Sequence, residues 1–223
     1  MTDALALAKS YFPVSEKAVP AEYKTIKNAM MNTTVDTYYV EGVGNMTFQK
    51  AKAMLGLMKM DMMCITPIDR DLPLFSYDVV EVMGNYTLII EIYDVMLDKT
   101  ERIVAGLKDL DIIKADYADL PDNEVGEHWY DSIKLSSSVS KKGKKKEMEA
   151  KCQELYGKLL KAYFDLAKDL PELEDKEAKR QASDAYVQGL LDNGGPSTDQ
   201  FVKMIGLEKT TEYFKTVIFG TAK

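Results

Sequence analysis

Histidine, cysteine and tryptophan are scarce in this chain of 223 residues, which contains one histidine, two cysteines and one tryptophan. A single histidine excludes metal sites built from several histidines and catalytic triads that depend on a second, orienting histidine. His128 stands beside Trp129 in a polar stretch, where we expect a surface residue. The two cysteines, Cys64 and Cys152, are too few for a disulfide framework and indicate free thiols in a reducing compartment.

Long hydrophobic runs and an excess of positive charge are also lacking. No stretch approaches about 18 uninterrupted apolar residues, so we expect no membrane span. The N-terminal sequence lacks the basic start and the continuous apolar run of a signal peptide. A formal net charge of −7 argues against general nucleic-acid binding, which needs a basic surface. These absences predict a cytoplasmic protein that binds neither membranes nor nucleic acids.

The order of hydrophobic patterns predicts a single α+β domain over residues 1–223, with strands in the first two-thirds and helices in the last third. Residues 47–59 fit a helix followed by a strand over 61–66, and they also fit a pair of strands. The other strands are expected over 34–43, 77–83, 86–94 and 129–139, with Gly84-Asn85 turning a hairpin and a lysine-rich run at 141–146 ending the last strand. Helices are expected over 3–12, 21–31, 100–108, 147–170, 175–192, 197–205 and 208–219.

Acidic residues beside apolar sequence are the candidate reactive groups. Asp78 stands where a loop turns into the first strand of the hairpin, so its carboxyl is either a solvated strand end or a placed reagent. Asp61 lies between Met60 and Met62, in a group of methionines that suits either the core or the wall of a pocket for a large planar ligand. Burial there would raise the pKa of Asp61, whereas a position facing water would leave it a simple strand end.

Two further motifs have competing interpretations. The run "KKGKKK" (141–146) is either a solvated turn or a positive patch that attracts an acidic partner or a ligand's carboxylates. The stretch "EGVGN" (41–45) lacks the third glycine of a dinucleotide-binding fingerprint, and the chain has no phosphate-binding loop of the G-x-x-x-x-G-K type. The glycine pattern therefore does not favour a nucleotide site.

Several of these segments together resemble the ferredoxin-dependent bilin reductase family, whose members reduce linear tetrapyrroles. The family has a P-[LIV]-[FL]-G-x-D element leading into a hairpin, and "PLFSYD" (73–78) is similar to it with Ser76 in place of the glycine. The family's C-terminal layout of a tyrosine-bearing helix, a polar turn and further helices resembles residues 185–220. Trp129 and the sequence after it resemble the family's Trp-led strand. The resemblance covers most of the chain from about residue 45.

The resemblance implies a three-layer α/β/α sandwich, with a central, mainly antiparallel sheet and the bilin between the sheet and the C-terminal helices. It implies no bound metal, flavin or nicotinamide. Electrons would come singly from an external ferredoxin or flavodoxin, and the protein would supply the protons. A one-electron reduction makes a tetrapyrrole more basic, so a nearby acid with a raised pKa could trap the product by protonation.

Particular residues match the family's functional positions. Asp78 matches the central proton-donating aspartate, and Asp192-Asn193 matches a polar turn with a second acid or amide facing the pigment. Lys141 falls where members carry a basic residue suited to a propionate. Ungapped alignment puts Asp61 at the position of a histidine found in some members, and Gln49 or its neighbours at that of a glutamate. We therefore expect catalytic roles for Asp78, Asp192 and Asp61, and substrate contacts from Asn193, Lys141, Met62 and Phe75.

Two alternatives stay open on the sequence alone. A tetrapyrrole-binding or carrier protein of the same fold would keep the pocket without the chemistry, and the missing histidine and glutamate favour it. An unrelated α+β interaction module would use the methionines only as core.

Overall fold

A single antiparallel sheet forms the centre of the computed structural model, which describes residues 3–222. Its strands all pair antiparallel, in the order β1-β3-β4-β5-β6-β7-β8, and β2 pairs with β3 beside β1. The strands are β1 Val14–Lys17, β2 Thr25–Lys27, β3 Met31–Val40, β4 Gly44–Ala53, β5 Met58–Pro67, β6 Leu74–Val82, β7 Asn85–Tyr93 and β8 Val139–Lys144.

Helices cover both faces of the sheet. The α-helices are α1 Ala4–Tyr11, α2 Ala21–Lys24, α3 Glu101–Ala115, α4 Lys145–Asp169, α5 Lys176–Asn193, α6 Pro196–Ile205 and α7 Leu207–Tyr213. Shorter helical segments are Met54–Gly56, Trp129–Ile133 and Phe214–Ile218, the last of them π-helical. None of the helices within residues 3–222 is long and apolar enough to cross a bilayer.

The face covered by α1, α3 and α4 is the main hydrophobic core. Helix α4 buries ten side chains at three- and four-residue spacing, as its sequence predicted. Its Tyr163 packs on Phe75 with 5.3 Å between ring centroids, and the Tyr163 hydroxyl donates to the Pro73 carbonyl at 3.0 Å. These contacts join the longest helix to the start of β6.

The opposite face is covered by the C-terminal helices. Tyr186 of α5, Phe201 of α6, and Tyr213 and Phe214 near the C-terminus form a second buried cluster with Tyr93 of the sheet. The sheet thus lies between two helical layers, and the predicted α/β/α sandwich is confirmed.

The predicted hairpin is present, with its turn one residue earlier than expected. Met83 and Gly84, and not Gly84 and Asn85, occupy the turn, with φ of 47° and 79°. Two successive positive φ values match the twist of a two-residue hairpin, and glycine adopts such a φ without steric cost. The strands β6 and β7 then pair from Val82–Asn85 to Leu74–Tyr93.

Residues 44–67 form a long hairpin, so the pair of strands is correct and the helix over 47–59 is wrong. β4 pairs along its whole length with both β3 and β5. Helix propensity is only a weak preference, and the hydrogen-bonded pairing of both strands with their neighbours outweighs it. The turn between them, at Met54 to Gly56, has positive φ at three consecutive residues.

The strand expected over 34–43 lies three residues earlier, at Met31–Val40, and four other elements differ from the sequence prediction in extent or type. Trp129–Ile133 is helical, and the strand expected over 129–139 begins only at Val139, so the lysine run lies inside β8 and in the start of α4. The helix expected over 21–31 ends at Lys24, because the following residues pair as β2 with β3. The remaining two differences are helix lengths: α3 extends to Ala115, and the last helix becomes π-helical after Tyr213.

Candidate functional site

A groove lies between the sheet and the C-terminal helices. Its wide part encloses about 770 Å³, and a narrower part of about 120 Å³ continues from it; Asp78, Glu91, Tyr130 and Phe201 border both. Strands β4 to β8 form the floor, and α6 forms part of the roof. A cavity of this size falls in the range of about 300–1,000 Å³ that is typical of sites for small molecules.

Asp78 lies on the floor of the groove because side chains alternate along β6. Ser76, Asp78 and Val80 face the groove, whereas Tyr77 and Val79 pack into the main core. The Ser76 hydroxyl donates to Oδ2 of Asp78 at 3.4 Å, a long hydrogen bond. Burial of the carboxyl raises the pKa of Asp78 from 3.8 to about 7, the charge of Glu91 adds to the rise, and the Ser76 hydrogen bond opposes it. Asp78 can therefore hold a proton near neutral pH.

Methionines form one wall of the groove. Met58, Met60 and Met62 alternate along β5 on the face of Asp78, and Met62 is the direct cross-strand partner of Asp78. Met30 and Met54 border the wide part and are largely exposed. Flexible, polarizable thioethers can adapt to a large planar ligand. Met62, from which a substrate contact was expected, borders the groove beside Asp78.

Glu91 is a second acid in the groove, and the sequence reasoning missed it. Its Oε2 accepts a hydrogen bond from the Tyr93 hydroxyl at 2.5 Å, and Lys134 Nζ lies 3.8 Å from Oε1. Lys134 Nζ also pairs with Oδ1 of Asp131 at 2.5 Å. The signal was available: an isolated glutamate inside "LIIEIY" (88–93) must either face a pocket or be buried at a cost.

His128 also borders the groove, contrary to the expected surface position. Its ring stacks on Tyr130 with 4.9 Å between centroids and 6° between planes. The neighbouring Trp129 is fixed against α5 by a hydrogen bond from Nε1 to the Gly194 carbonyl at 3.3 Å. Gly189 on α5 has no side chain because a Cβ there would overlap the Trp129 ring. The single histidine and the single tryptophan therefore belong to the wall that joins the sheet to α5.

Two expected site residues, Phe75 and Asp61, lie on the other side of the sheet. Phe75 is fully buried in the main core against α4. Asp61 is exposed and borders a separate depression with Tyr77, Glu81 and Tyr156. The expectation that both residues contact the pigment is therefore wrong, and the reason is the same for each. Phe75 is next to Ser76 and Asp61 is next to Met62, and adjacent residues of a strand point to opposite faces of the sheet.

Lys141 also points away from the groove. Its buried ammonium donates to the Leu120 carbonyl at 2.9 Å and pairs with Oδ1 of Asp122 at 2.7 Å. Because these two partners already bind the Lys141 ammonium, the expectation that Lys141 binds a carboxylate of the ligand is wrong. Ser140 and Lys142, its neighbours on β8, alternate to the groove side, and Ser140 borders the wide part.

Asp192 and Asn193 are exposed at the end of α5 and do not border the groove. Oδ1 of Asp192 accepts from Gln188 at 2.8 Å, and the Asn193 amide donates to the Gly189 carbonyl at 3.0 Å. Both side chains thus bond back to their own helix. The turn that follows them does reach the groove, through Gly195, Pro196 and Ser197.

No protein-family model and no curated protein matches this chain. Among solved structures, phytochromobilin synthase from tomato, crystallised in complex with biliverdin, is similar with a TM-score of 0.81 at 11% sequence identity. The similarity covers 98% of this chain and 80% of the synthase chain. The two proteins share one fold. The bilin reductase resemblance of the motifs predicted this architecture, and the similarity to the synthase confirms it.

Proposed function

We propose that this protein is a distant member of the ferredoxin-dependent bilin reductases and reduces a bilin or a related open-chain tetrapyrrole, with Asp78 as proton donor. The observation that carries the proposal is the carboxyl of Asp78, whose pKa is raised to about 7 on the floor of a groove large enough for a substantial ligand. The tomato synthase of the same fold was crystallised with biliverdin, which supports a tetrapyrrole as the ligand.

The chemistry follows from the protonation state of Asp78. An external ferredoxin or flavodoxin delivers one electron to the bound tetrapyrrole, whose radical anion is more basic than the starting pigment. Asp78 gives this radical its proton and becomes a carboxylate. A second electron and a second proton complete the reduction of one double bond. General acid catalysis is most effective when the pKa of the acid lies near the working pH, as it does for Asp78.

Charge in the groove suggests how the pigment is oriented. Asp78, Glu91 and Asp122 border it, and the basic side chains that border it are Lys134 and His128. Propionates are therefore disfavoured deep in the groove and belong at its wide, open part. There Lys142, which faces the groove side of β8 and is exposed, takes the role first given to Lys141.

The exposed lysines of the same region are the proposed contact for an acidic electron donor. Lys142, Lys144 and Lys146 are exposed at the edge of the sheet and at the start of α4. Charge attraction of this kind accelerates the encounter of partners and weakens with ionic strength. The rate of reduction should accordingly fall as salt is added.

A carrier protein of the same fold is the second candidate. Two observations favour it. Asp61, at the position of the histidine of some family members, faces away from the groove, and the groove has the amide of Gln49 at or near the position of their glutamate. Gln49 accepts a hydrogen bond from the Tyr213 hydroxyl at 3.1 Å. A carrier would bind the tetrapyrrole and leave it unchanged.

An anaerobic assay separates the two functions. Purified protein, biliverdin and chemically reduced ferredoxin are mixed without oxygen, and the visible spectrum is followed. We expect spectral conversion by the wild type, loss of conversion in Asp78→Asn, and retention of conversion in Asp61→Asn, a matched change on the other face of the sheet. Binding without conversion in the wild type supports the carrier, and absence of any shifted absorbance band contradicts both functions.

A further inference from the structure

Asp78 and Glu91 form a connected pair of carboxyl groups in the groove. Glu91 and Ser76 are directly opposite each other on β7 and β6, and Ser76 donates to Asp78. Side chains directly opposite in an antiparallel pair have Cβ atoms about 5 Å apart. Ser76 is therefore hydrogen-bonded to one acid and directly across the strand pair from the other. Both carboxyls border the narrow part of the groove as well as the wide part.

Glu91 is held in place and remains in contact with solvent. The Tyr93 hydroxyl fixes one of its oxygens at 2.5 Å, and Lys134 lies 3.8 Å from the other. The side chains of Glu91 and Lys134 are 22% and 24% exposed, so water reaches this end of the pair. The negative charge of Glu91 also raises the pKa of Asp78, so we expect the two groups to be electrostatically coupled.

We propose that Glu91 supplies Asp78 with its second proton, through the Ser76 hydroxyl, during each turnover. This inference rests on the proposed function: reducing one double bond consumes two electrons and two protons, and Asp78 carries one proton at a time. After Asp78 has protonated the pigment, the Glu91 carboxylate takes a proton from water and gives it to Ser76 as Ser76 passes its own proton to Asp78. Glu91 is then a carboxylate again. No electron moves in this relay, and the donor protein supplies both electrons to the pigment.

The other titratable groups around the pair do not compete for this role. Burial raises the pKa of Cys64 to about 12, and burial raises the pKa of each tyrosine here, so these groups stay protonated near neutral pH. Asp131 has a lowered pKa because it pairs with Lys134, so it stays ionised. The titratable groups that border the groove around the pair are Cys64 on β5, Tyr93 on β7, Tyr186 on α5, Asp122, His128, Tyr130 and Lys134. Asp131 reaches this set through its ion pair with Lys134.

Glu91 is in this sense a positioning residue that acts through Asp78, and its test needs a readout that a structural role would not move. The variants are Glu91→Gln, which keeps the shape and the hydrogen bond from Tyr93, and Glu91→Asp, which keeps the acid. Glu81→Gln is the matched control, because Glu81 lies on β6 with a side chain 26% exposed and pairs with Lys145 outside the groove.

The first measurement is independent of any pigment. Carboxyl carbon shifts of labelled aspartate and glutamate are followed against pH by NMR, and we expect the pKa of Asp78 to fall in Glu91→Gln and to stay near 7 in Glu81→Gln. An unchanged pKa in Glu91→Gln shows that the acids are not coupled and overturns the proposal, while leaving the proposed function intact.

The second measurement follows single turnovers with biliverdin and stoichiometric reduced ferredoxin. The reaction is run below the pKa values measured for Asp78 in both proteins, so that Asp78 starts protonated in each. In Glu91→Gln we then expect the first electron and proton transfer to proceed normally and the second to slow about 100-fold, the low end of general acid contributions. Glu91→Asp should restore part of the rate. Equal rates for both steps in Glu91→Gln overturn the relay. If the wild type converts no pigment, the proposed function fails and the relay falls with it, even where the NMR coupling is present.

Discussion

Replacing Asp78 with asparagine should make the protein more stable at neutral and alkaline pH. Asparagine has nearly the same shape, can still accept the hydrogen bond from Ser76, and never carries a charge. The wild-type carboxyl, in contrast, must ionise inside the groove above about pH 7. Burying a charge without a cation as partner costs free energy, so the ionised wild type is the less stable form.

The size of this effect follows from the pKa. A rise from 3.8 to about 7 is roughly 3 pKa units, and each unit corresponds to about 1.4 kcal/mol, which sets an upper limit of about 4 kcal/mol. Because Asp78 is only partly buried and the groove admits water, we expect a gain of about 2–4 kcal/mol for Asp78→Asn above pH 7.

The pH dependence provides a sharper signature than the absolute value. Between pH 3.8 and 7 the folded state binds more protons at Asp78 than the unfolded state does, so this residue lowers the unfolding free energy as pH rises through that window. Above the window the cost is constant, and below it the cost vanishes. The advantage of Asp78→Asn should therefore grow by about 2 kcal/mol from pH 5 to pH 8.

Urea denaturation followed by far-UV circular dichroism measures this difference at several pH values. Titrating groups that do not interact with Asp78 contribute equally to both proteins and cancel in the comparison. Asp61→Asn, on the exposed side of the sheet, should differ from the wild type by less than about 0.5 kcal/mol at every pH. An Asp78→Asn protein that is less stable than the wild type at pH 8, or an advantage that does not change with pH, refutes the reasoning.

Three further predictions concern the elements around the groove. Lys179→Met should lower the unfolding free energy measured by urea denaturation by about 3 kcal/mol, because the buried ammonium of Lys179 pairs with Asp71 at 3.0 Å. The control Lys146→Met, at a side chain that is 82% exposed, should change it by less than about 0.5 kcal/mol. Gly189→Ala should lower the melting temperature, because overlap of the new Cβ with the Trp129 ring costs about 1–3 kcal/mol, whereas the better helix propensity of alanine stabilises by only about 1 kcal/mol. An unchanged melting temperature would contradict the close packing of Trp129 on α5. Biliverdin should quench the fluorescence of Trp129, the single tryptophan, in the wild type and in Asp78→Asn alike, because Trp129 packs against Tyr130 at the border of the groove. Quenching no stronger than that of free tryptophan would show that the pigment does not bind in this groove.

Local patterns in the sequence were enough to predict several elements. Helix α4 follows from the spacing of its apolar residues, and the hairpin follows from glycine beside a run of β-branched residues. The helix expected over 47–59 failed because strand pairing is non-local, and composition alone cannot show that β4 has partners on both sides. The strand expected after Trp129 failed for the opposite reason, since its alternating residues have no complete partner strand before Val139.

Site residues could be predicted where the sequence contains a motif, and less well where the prediction depends on which face of the sheet a side chain occupies. Asp78 and Met62 border the groove, in keeping with the hairpin and the methionines in the sequence, and their catalytic and substrate-binding roles stay predictions. Asp61 and Met62 are adjacent on one strand and cannot share a face, and this contradiction was visible in the sequence. Glu91 was missed because a single acid in an apolar strand has no sequence motif, and only the register of β6 with β7 brings it to Ser76.

The alternation of side chains across the central strands has a consequence for how this protein can change over evolutionary time. Along β5, β6 and β7, every second residue packs under α4 and the residues between them line the groove. Point substitutions can therefore alter ligand preference without touching the layer that holds the fold, in keeping with a shared architecture at 11% identity. A single inserted or deleted residue in these strands would exchange the two sets at once, turning carboxylates into the core and aromatic rings into the groove. Natural variation in this region should consist of substitutions, with length changes confined to the turns.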